Sequence, residues 1–150
     1  MGDKLTVAVI GCGRLGQHYA TAYKAFPDTE LVAIADYHPE RRRIVGERFG
    51  VKALFRDAEA LFASIVPDVA AVVLPGQYIK AAVLAAVRAG VKGVSTDKPI
   101  GALLADADEM VQVCQEHGAV FGGGNLQRAM AEVQEVGRWI RAGDYGALSG

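Results

Sequence analysis

Cysteine is scarce in this 150-residue chain: Cys12 lies in a glycine-rich segment and Cys114 in a helical pattern. Neither stands at a CxxC or Cys/His ligand spacing, so a zinc site or a disulfide framework is not expected, and both read as free thiols of a reducing compartment. His18, His38 and His117 have no second ligand and no Ser/Asp partner at a readable spacing. Long apolar runs are missing too. The stretch Leu5–Ile10 is too short for a membrane span and lacks the basic region and cleavage site of a signal peptide, which makes a cytoplasmic location the expectation. Residues 1–6 fit the loose N-myristoylation pattern M-G-x-x-x-[ST], a weak match read as chance because a strand begins almost at once. Charge of one sign is also lacking. Sixteen Lys and Arg stand against 17 Asp and Glu, interspersed, for a net charge of -1, so no footprint for nucleic acid is present. Small molecules or other protein remain as partners. There is no internal repeat, low-complexity segment or flexible linker.

What is present is an alternation. Short Val- and Ile-rich runs at 6–10, 31–35, 52–55, 69–74, 93–95 and 120–122 read as strands, and amphipathic stretches at 15–26, 39–49, 57–64, 79–89 and 103–117 read as helices. Pro39 suits a first helical turn, Asp57 can cap a helix, and Gly90 and Gly118 sit where helices stop. Several strands are apolar on both faces, as strands covered by helices on each side must be. Six strands with five intervening helices predict an α/β, doubly wound parallel sheet of the Rossmann type. A chain of this length buries roughly 70% of its unfolded surface, enough for a core without staples. After Gly124 the rhythm changes: Met130, Val133, Gly137 and Ile140 repeat at helical spacing, and 141–150 read as a turn and half a strand. The expected division is a dinucleotide-binding domain over 1–124, then a crossover helix and the cut start of a second domain over 125–150. Val136, Trp139 and Ile140 are expected to pack on protein, and an apolar face left exposed there predicts self-association.

Gly11-Cys12-Gly13-Arg14-Leu15-Gly16 fits G-x-G-x-x-G after a strand and at the opening of a helix. Gly11 allows a tight turn, Gly13 lets backbone approach a pyrophosphate, and Gly16 lets the helix pack closely on the strand. The helix start supplies unpaired N–H groups and a positive dipole end. Asp36, twenty residues beyond Gly16 at the end of the second strand, is placed to accept hydrogen bonds from the adenosine ribose and to repel a 2′-phosphate. Tyr37 beside it, and Cys12, Arg14 and Leu15 within the loop, join the expected cofactor contacts. NAD is therefore the expected cofactor. Arg41-Arg42-Arg43 leaves two readings open: a solvated helix face offset by Glu40 and Glu47, or an arginine that tolerates the 2′-phosphate of NADP.

Ser95-Thr96-Asp97-Lys98-Pro99-Ile100 follows the fifth strand. Residues just beyond strand C-termini line the ligand crevice of an open parallel sheet, so Lys98 is expected where a nicotinamide would lie, able to hydrogen-bond a substrate hydroxyl and favour an alkoxide. An exposed lysine pairing with Asp97 is the plainer alternative. The isomer of the Lys98–Pro99 bond is left open.

The glycine loop, Asp36, the run Val72-Val73-Leu74-Pro75 and the segment Ala89-Gly90-Val91-Lys92-Gly93-Val94-Ser95-Thr96-Asp97-Lys98-Pro99 together resemble the glucose-fructose oxidoreductase/inositol dehydrogenase/MocA superfamily over almost the whole chain. The resemblance implies that Lys98, matching the lysine of the family's Glu-Lys-Pro, contacts the nicotinamide ribose and the substrate. Asp97 stands where the family has glutamate, one methylene shorter. The family commonly carries a histidine a few residues after the fourth-strand proline; this chain has Pro75-Gly76-Gln77-Tyr78-Ile79-Lys80, where Gln77 or Tyr78 would substitute beside Leu74 and Pro75. Asn125-Leu126-Gln127-Arg128 resembles the family's crossover, making Arg128 a candidate for the domain junction or the cofactor edge, with an ordinary solvent-facing arginine as the alternative.

The family's second domain is a mainly antiparallel sheet that supplies a proton-transferring histidine, most substrate contacts and often the oligomer interface. The implied function is NAD(P)-dependent hydride transfer to or from a sugar or polyol, by a homo-oligomeric parent protein whose first 150 residues alone do not turn over. Two other readings stay open: a cofactor-binding module or sensor without turnover, and a binder of another nucleotide such as S-adenosylmethionine.

Overall fold

The computed structural model describes residues 4–124 and 126–147, with the backbone alone at Leu126. The elements run β1 (Leu5–Ile10), α1 (Arg14–Ala25), β2 (Thr29–Ala35), α2 (Pro39–Phe49), β3 (Ala53–Phe55), α3 (Ala58–Phe62), β4 (Val69–Val72), α4 (Gly76–Ala89), β5 (Gly93–Asp97), α5 (Leu104–Glu116), β6 (Val120–Gly124), a 3-10 turn (Leu126–Ala129) and α6 (Ala131–Ala142). Every ladder is parallel and the strand order is β3-β2-β1-β4-β5-β6. The order reverses between β1 and β4, which opens a crevice at their C-terminal ends. No helix among the described residues is long and apolar enough to cross a membrane.

The sheet is buried on both faces because its strands carry small and branched apolar residues on both. On one face Leu61 of α3, Ile79 and Val83 of α4 and Met110 of α5 cover Ala8, Ile10, Ala70, Val72 and Val94. On the other, Ala20 of α1 and Val45 of α2 cover Val9, Ile34 and Ala71, with Cys12 in the same cluster. A register shift in β2 sets which face meets which. Val7 pairs with Leu31 but Ala8 with Ala33, so Val32 is an extra residue. Leu31 and Ile34 therefore share the α1/α2 face although three positions apart. Asp36, two residues after Ile34, follows it onto that face, toward the loop that ends β1.

Most expected elements stand within two residues of their reading, and Asp57 does cap α3, its carboxylate accepting the Ala60 amide at 2.9 Å. The departures lie at the crevice. β4 ends at Val72 rather than 74, and α4 begins at Gly76 under a Pro75 cap rather than at 79. Gln77 and Tyr78 in that first turn are exposed, so the apolar period starts only at Ile79. β5 continues to Asp97 and β6 to Gly124, pairing Asp97 with Gly124. Polar and glycine residues there hydrogen-bond as strand while carrying no apolar signature. α6 forms over the expected segment with none of its residues buried, and Gly143 and Gly146 turn the chain after it at φ 83° and 78°. The rest of the expected half strand falls at 148–150, which with Met1, Gly2, Asp3 and Asn125 lies outside the described residues.

Candidate functional site

The loop between β1 and α1 shows three glycines with three different surroundings. Gly11 adopts φ +96°, and a Cβ there would lie 2.2 Å from the Val73 carbonyl oxygen. A Cβ on Gly16 would lie 1.7 Å from the Gly11 carbonyl oxygen, so the close approach the sequence assigned to helix and strand is made by the helix to the turn itself. At Gly13 a Cβ would meet nothing within 4 Å. Its backbone faces open space. Gly13 is also the N-cap of α1 and makes no side-chain cap, so the first-turn N–H groups, including those of Arg14 and Leu15, have no intrahelical acceptor. This arrangement fits a dinucleotide diphosphate: backbone donors at a helix start, with the single side chain that would block approach absent.

The loop is held from β2. Asp36 is buried, and its Oδ2 accepts the Cys12 amide at 2.7 Å while Oδ1 accepts the His38 amide at 2.8 Å. The Cys12 thiol is buried against the Ala35 carbonyl oxygen at 3.7 Å. Burial first, and the Asp36 charge second, push its pKa up to about 12, so it stays protonated and is no nucleophile. The three arginines of α2 divide. Arg43 is bound by Glu40 and Glu47, both at 2.7 Å, which is the solvated helix face. Arg42 donates to the Asp36 carbonyl oxygen at 2.6 Å, and Arg41 lies 3.4 Å from Asp36 Oδ2. Tyr37 is exposed, its ring under the Arg56 guanidinium at 5.2 Å.

Across the switch point, Leu74 is half-buried, Pro75 caps α4, and Gln77 and Tyr78 stand exposed on its first turn. Gly76 packs tightly, since a Cβ there would sit 3.4 Å from the Pro99 ring. Asp97 is buried at the end of β5, and its Oδ1 accepts the amide of Lys98 at 2.7 Å. The alternative of a Lys98–Asp97 ion pair is not what forms: Lys98 is exposed and its ammonium makes no ion pair among the described residues. By contrast Lys80 is held by Asp106 at 2.6 Å and Glu109 at 3.3 Å, which raises its pKa. The Lys98–Pro99 bond is cis. Tyr23 and Ser95 hydroxyls meet at 3.2 Å, tying α1 to β5, and Tyr19 one turn earlier has its pKa raised by burial and then by the Asp97 charge.

Thus the glycine loop, Asp36, Tyr37, Leu74, Pro75, Gln77, Tyr78, Asp97 and Lys98 all lie at the C-terminal ends of β1, β2, β4 and β5. Arg128 follows the edge strand β6 and lines a concavity of about 400 Å³ with Val133, Gln134, Arg138 and Arg141 of α6. Two contributors were not legible as site residues. Gln17 donates to the Cys12 carbonyl at 3.2 Å and accepts from Arg48 at 2.9 Å, and Arg42 fixes the Asp36 carbonyl. A polar residue directly after Gly16 in α1 is the one signal that could have found Gln17. Among the described residues no cluster of three or more His, Cys, Asp or Glu could hold a metal ion.

A family profile described as "Oxidoreductase family, NAD-binding Rossmann fold" matches residues 5–124. D-apiose dehydrogenase of Paraburkholderia graminis is 32% identical over 139 residues, 93% of this chain and 37% of that protein. Myo-inositol 2-dehydrogenase of Thermotoga maritima is 27% identical over 95% of this chain and 42% of that protein. The crystal structure of an oxidoreductase from Agrobacterium radiobacter in complex with NAD+, L-tartaric acid and magnesium superposes with a TM-score of 0.88 at 29% identity, over 96% of this chain and 42% of that one. The chain therefore spans about two fifths of the length of these relatives. With its strand order, its open Gly13 and this match, the chain belongs to that oxidoreductase family and carries its NAD-binding Rossmann fold.

Proposed function

We propose that the chain is the cofactor half of a dehydrogenase or reductase acting on a carbinol or carbonyl carbon of a sugar or polyol. The observation that carries this reading is the pairing, across one switch point, of an open glycine-loop backbone with an exposed lysine at the end of β5 that has no ion pair among the described residues. Nicotinamide, when bound, gives or takes the hydride. The chain's own residues bind and orient the cofactor and reach the substrate oxygen. N–H groups at the start of α1 hold the diphosphate, and the remaining lone pairs of the Asp36 carboxylate accept the adenosine ribose hydroxyls. Lys98 donates to the substrate oxygen, and its charge lowers the cost of a developing alkoxide there. Asp97, by holding the Lys98 amide, fixes where that side chain leaves the strand. Leu74, Pro75, Gln77 and Tyr78 form the opposite wall.

Residues 125–150 are, on this reading, the start of a second domain that brings the substrate contacts and the proton-transferring histidine. Support comes from α6, which buries none of its residues against the sheet, and from the relatives being more than twice as long. Arg128 then belongs to that junction. A sugar or polyol substrate fits the names of the relatives and the hydroxyl chemistry suited to Lys98.

Calorimetry of the chain with NADH tests the first half of the proposal; folded protein that gives no heat would end it. The second half is tested in the protein carrying the following domain, with a panel of sugars and cyclic polyols. There Lys98→Met is expected to lower kcat by about a hundredfold or more with the NADH Kd nearly unchanged. Full turnover by Lys98→Met would remove Lys98 from the chemistry.

A further inference from the structure

An acidic residue closing the second strand ordinarily excludes a 2′-phosphate by like-charge repulsion. At Asp36 that charge is already answered. Both carboxylate oxygens accept backbone amides, from Cys12 and His38, and Arg41 lies 3.4 Å from Oδ2. Around the mouth stand three guanidinium groups, those of Arg41, Arg42 and Arg56, against two carboxylates, Asp36 and Asp57, the latter 3.8 Å from Arg56. The balance of charge where the adenosine sugar would lie is positive.

The arginines are not equally available. Arg43 is taken up by two carboxylates at 2.7 Å, and Arg42 by a 2.6 Å bond to a carbonyl oxygen. Arg41 has only its long contact to Asp36, and its side chain is 44% exposed. It can turn to an arriving anion while Asp36 keeps its two backbone amides, and a guanidinium fork matches phosphate oxygens two at a time. We infer that this site accepts NADP(H) as well as NAD(H), and that Arg41 is the residue that meets the 2′-phosphate. The inference rests on the dinucleotide reading above and deepens it.

The test is calorimetric titration of the chain with NADH and NADPH, and with AMP and adenosine 2′,5′-bisphosphate, which differ only in the 2′-phosphate. NADPH is expected to bind within about thirtyfold of NADH, and Arg41→Gln to weaken NADPH and the bisphosphate by about tenfold or more while NADH and AMP change by less than about threefold. Arg41→Lys, which keeps the charge but not the fork, should fall between. Arg43→Gln should leave all four affinities alone. NADH binding with NADPH more than about thirtyfold weaker would overturn the dual specificity and leave the NAD reading standing. An equal loss of both dinucleotides in Arg41→Gln would overturn the assignment to Arg41, and binding of neither by the unaltered chain would overturn both readings.

Discussion

Asp36 Oδ2 accepts the amide of Cys12 at 2.7 Å. On the proposed reading, the residue that accepts the adenosine sugar also fastens the glycine loop that receives the diphosphate, so two ends of one ligand site would share a single side chain. Asp36→Asn keeps the size but turns a carboxamide NH2, a donor, toward one of the two backbone donors. It is expected to cost roughly 1–3 kcal/mol of stability, the range for stranding a buried donor or losing a charge-assisted bond. It should also weaken NADH and NADPH together, each by about tenfold or more, because the loop itself loosens. Denaturant unfolding and calorimetry report the two effects. An Asn variant of unchanged stability that simply exchanges NADH for NADPH would show the carboxylate to be a ribose ligand and nothing else.

Gly13 and Gly16 can be told apart by adding one methyl group to each. Gly13→Ala meets nothing within 4 Å and its φ of -63° suits alanine. The cost is that of a poorer helix cap, about 1 kcal/mol or less. The methyl group would nonetheless stand where the diphosphate must approach, so NADH affinity is expected to fall by about a hundredfold at nearly constant Tm. Gly16→Ala instead drives a Cβ to 1.7 Å from the Gly11 carbonyl oxygen, backbone that cannot rotate away. Loss of roughly 3 kcal/mol or more is expected. Thermal melts with NADH titrations distinguish the variants, and a Gly13→Ala protein that binds normally would place the diphosphate elsewhere.

The sheet was legible because its strands announce themselves twice, once in Val and Ile content and again in the helices that must alternate with them. Leu31, Ile34 and Val72 are buried for the reason their sequence suggested. What could not be read was where strands end once they turn polar. Thr96, Asp97 and Gly124 pair as strand through their backbones, and Gln77 and Tyr78 form a helical turn that faces solvent. The crevice is lined by such residues, because they lie past the apolar core. The extra residue at Val32 was likewise invisible, since a register shift leaves composition unchanged. The fate of the three arginines depended on geometry too: one spacing places Arg41 at Asp36 and Arg43 between two glutamates, and charge counting treats them alike.

Both thiols should be silent in the folded protein. Cys12 and Cys114 are buried, and burial raises the pKa of each, to about 12 for Cys12. Since thiolate is the reactive form, an aromatic disulfide reagent at pH 8 is expected to titrate neither thiol rapidly in buffer and both in guanidinium chloride. Rapid modification of one thiol in buffer, suppressed by NADH, would mean that the glycine loop opens and exposes Cys12.

Acid should also act at the opposite end of the sheet. Asp68 Oδ2 accepts the amide of Thr6 at 3.0 Å and its hydroxyl at 2.8 Å, while the Thr6 hydroxyl oxygen accepts the Asp68 amide at 2.9 Å. Those bonds, ahead of the Lys92 charge, hold the Asp68 pKa below its ordinary value. A carboxyl group that is more acidic folded than unfolded contributes stability above its unfolded pKa, about 3.9, and loses it as pH falls through the folded value. Stability measured by urea titration should therefore be flat in this contribution near neutrality and decline below about pH 4. Asp68→Asn removes the titrating group, so the variant should be less stable at pH 7 yet show a shallower decline between about pH 4 and 2. Added salt should change the difference only in part, since hydrogen bonds to Thr6, ahead of the exposed Lys92 ammonium at 3.5 Å, set it. Parallel acid limbs for the two proteins would show that the ends of β1 and β4 are not joined through this carboxylate.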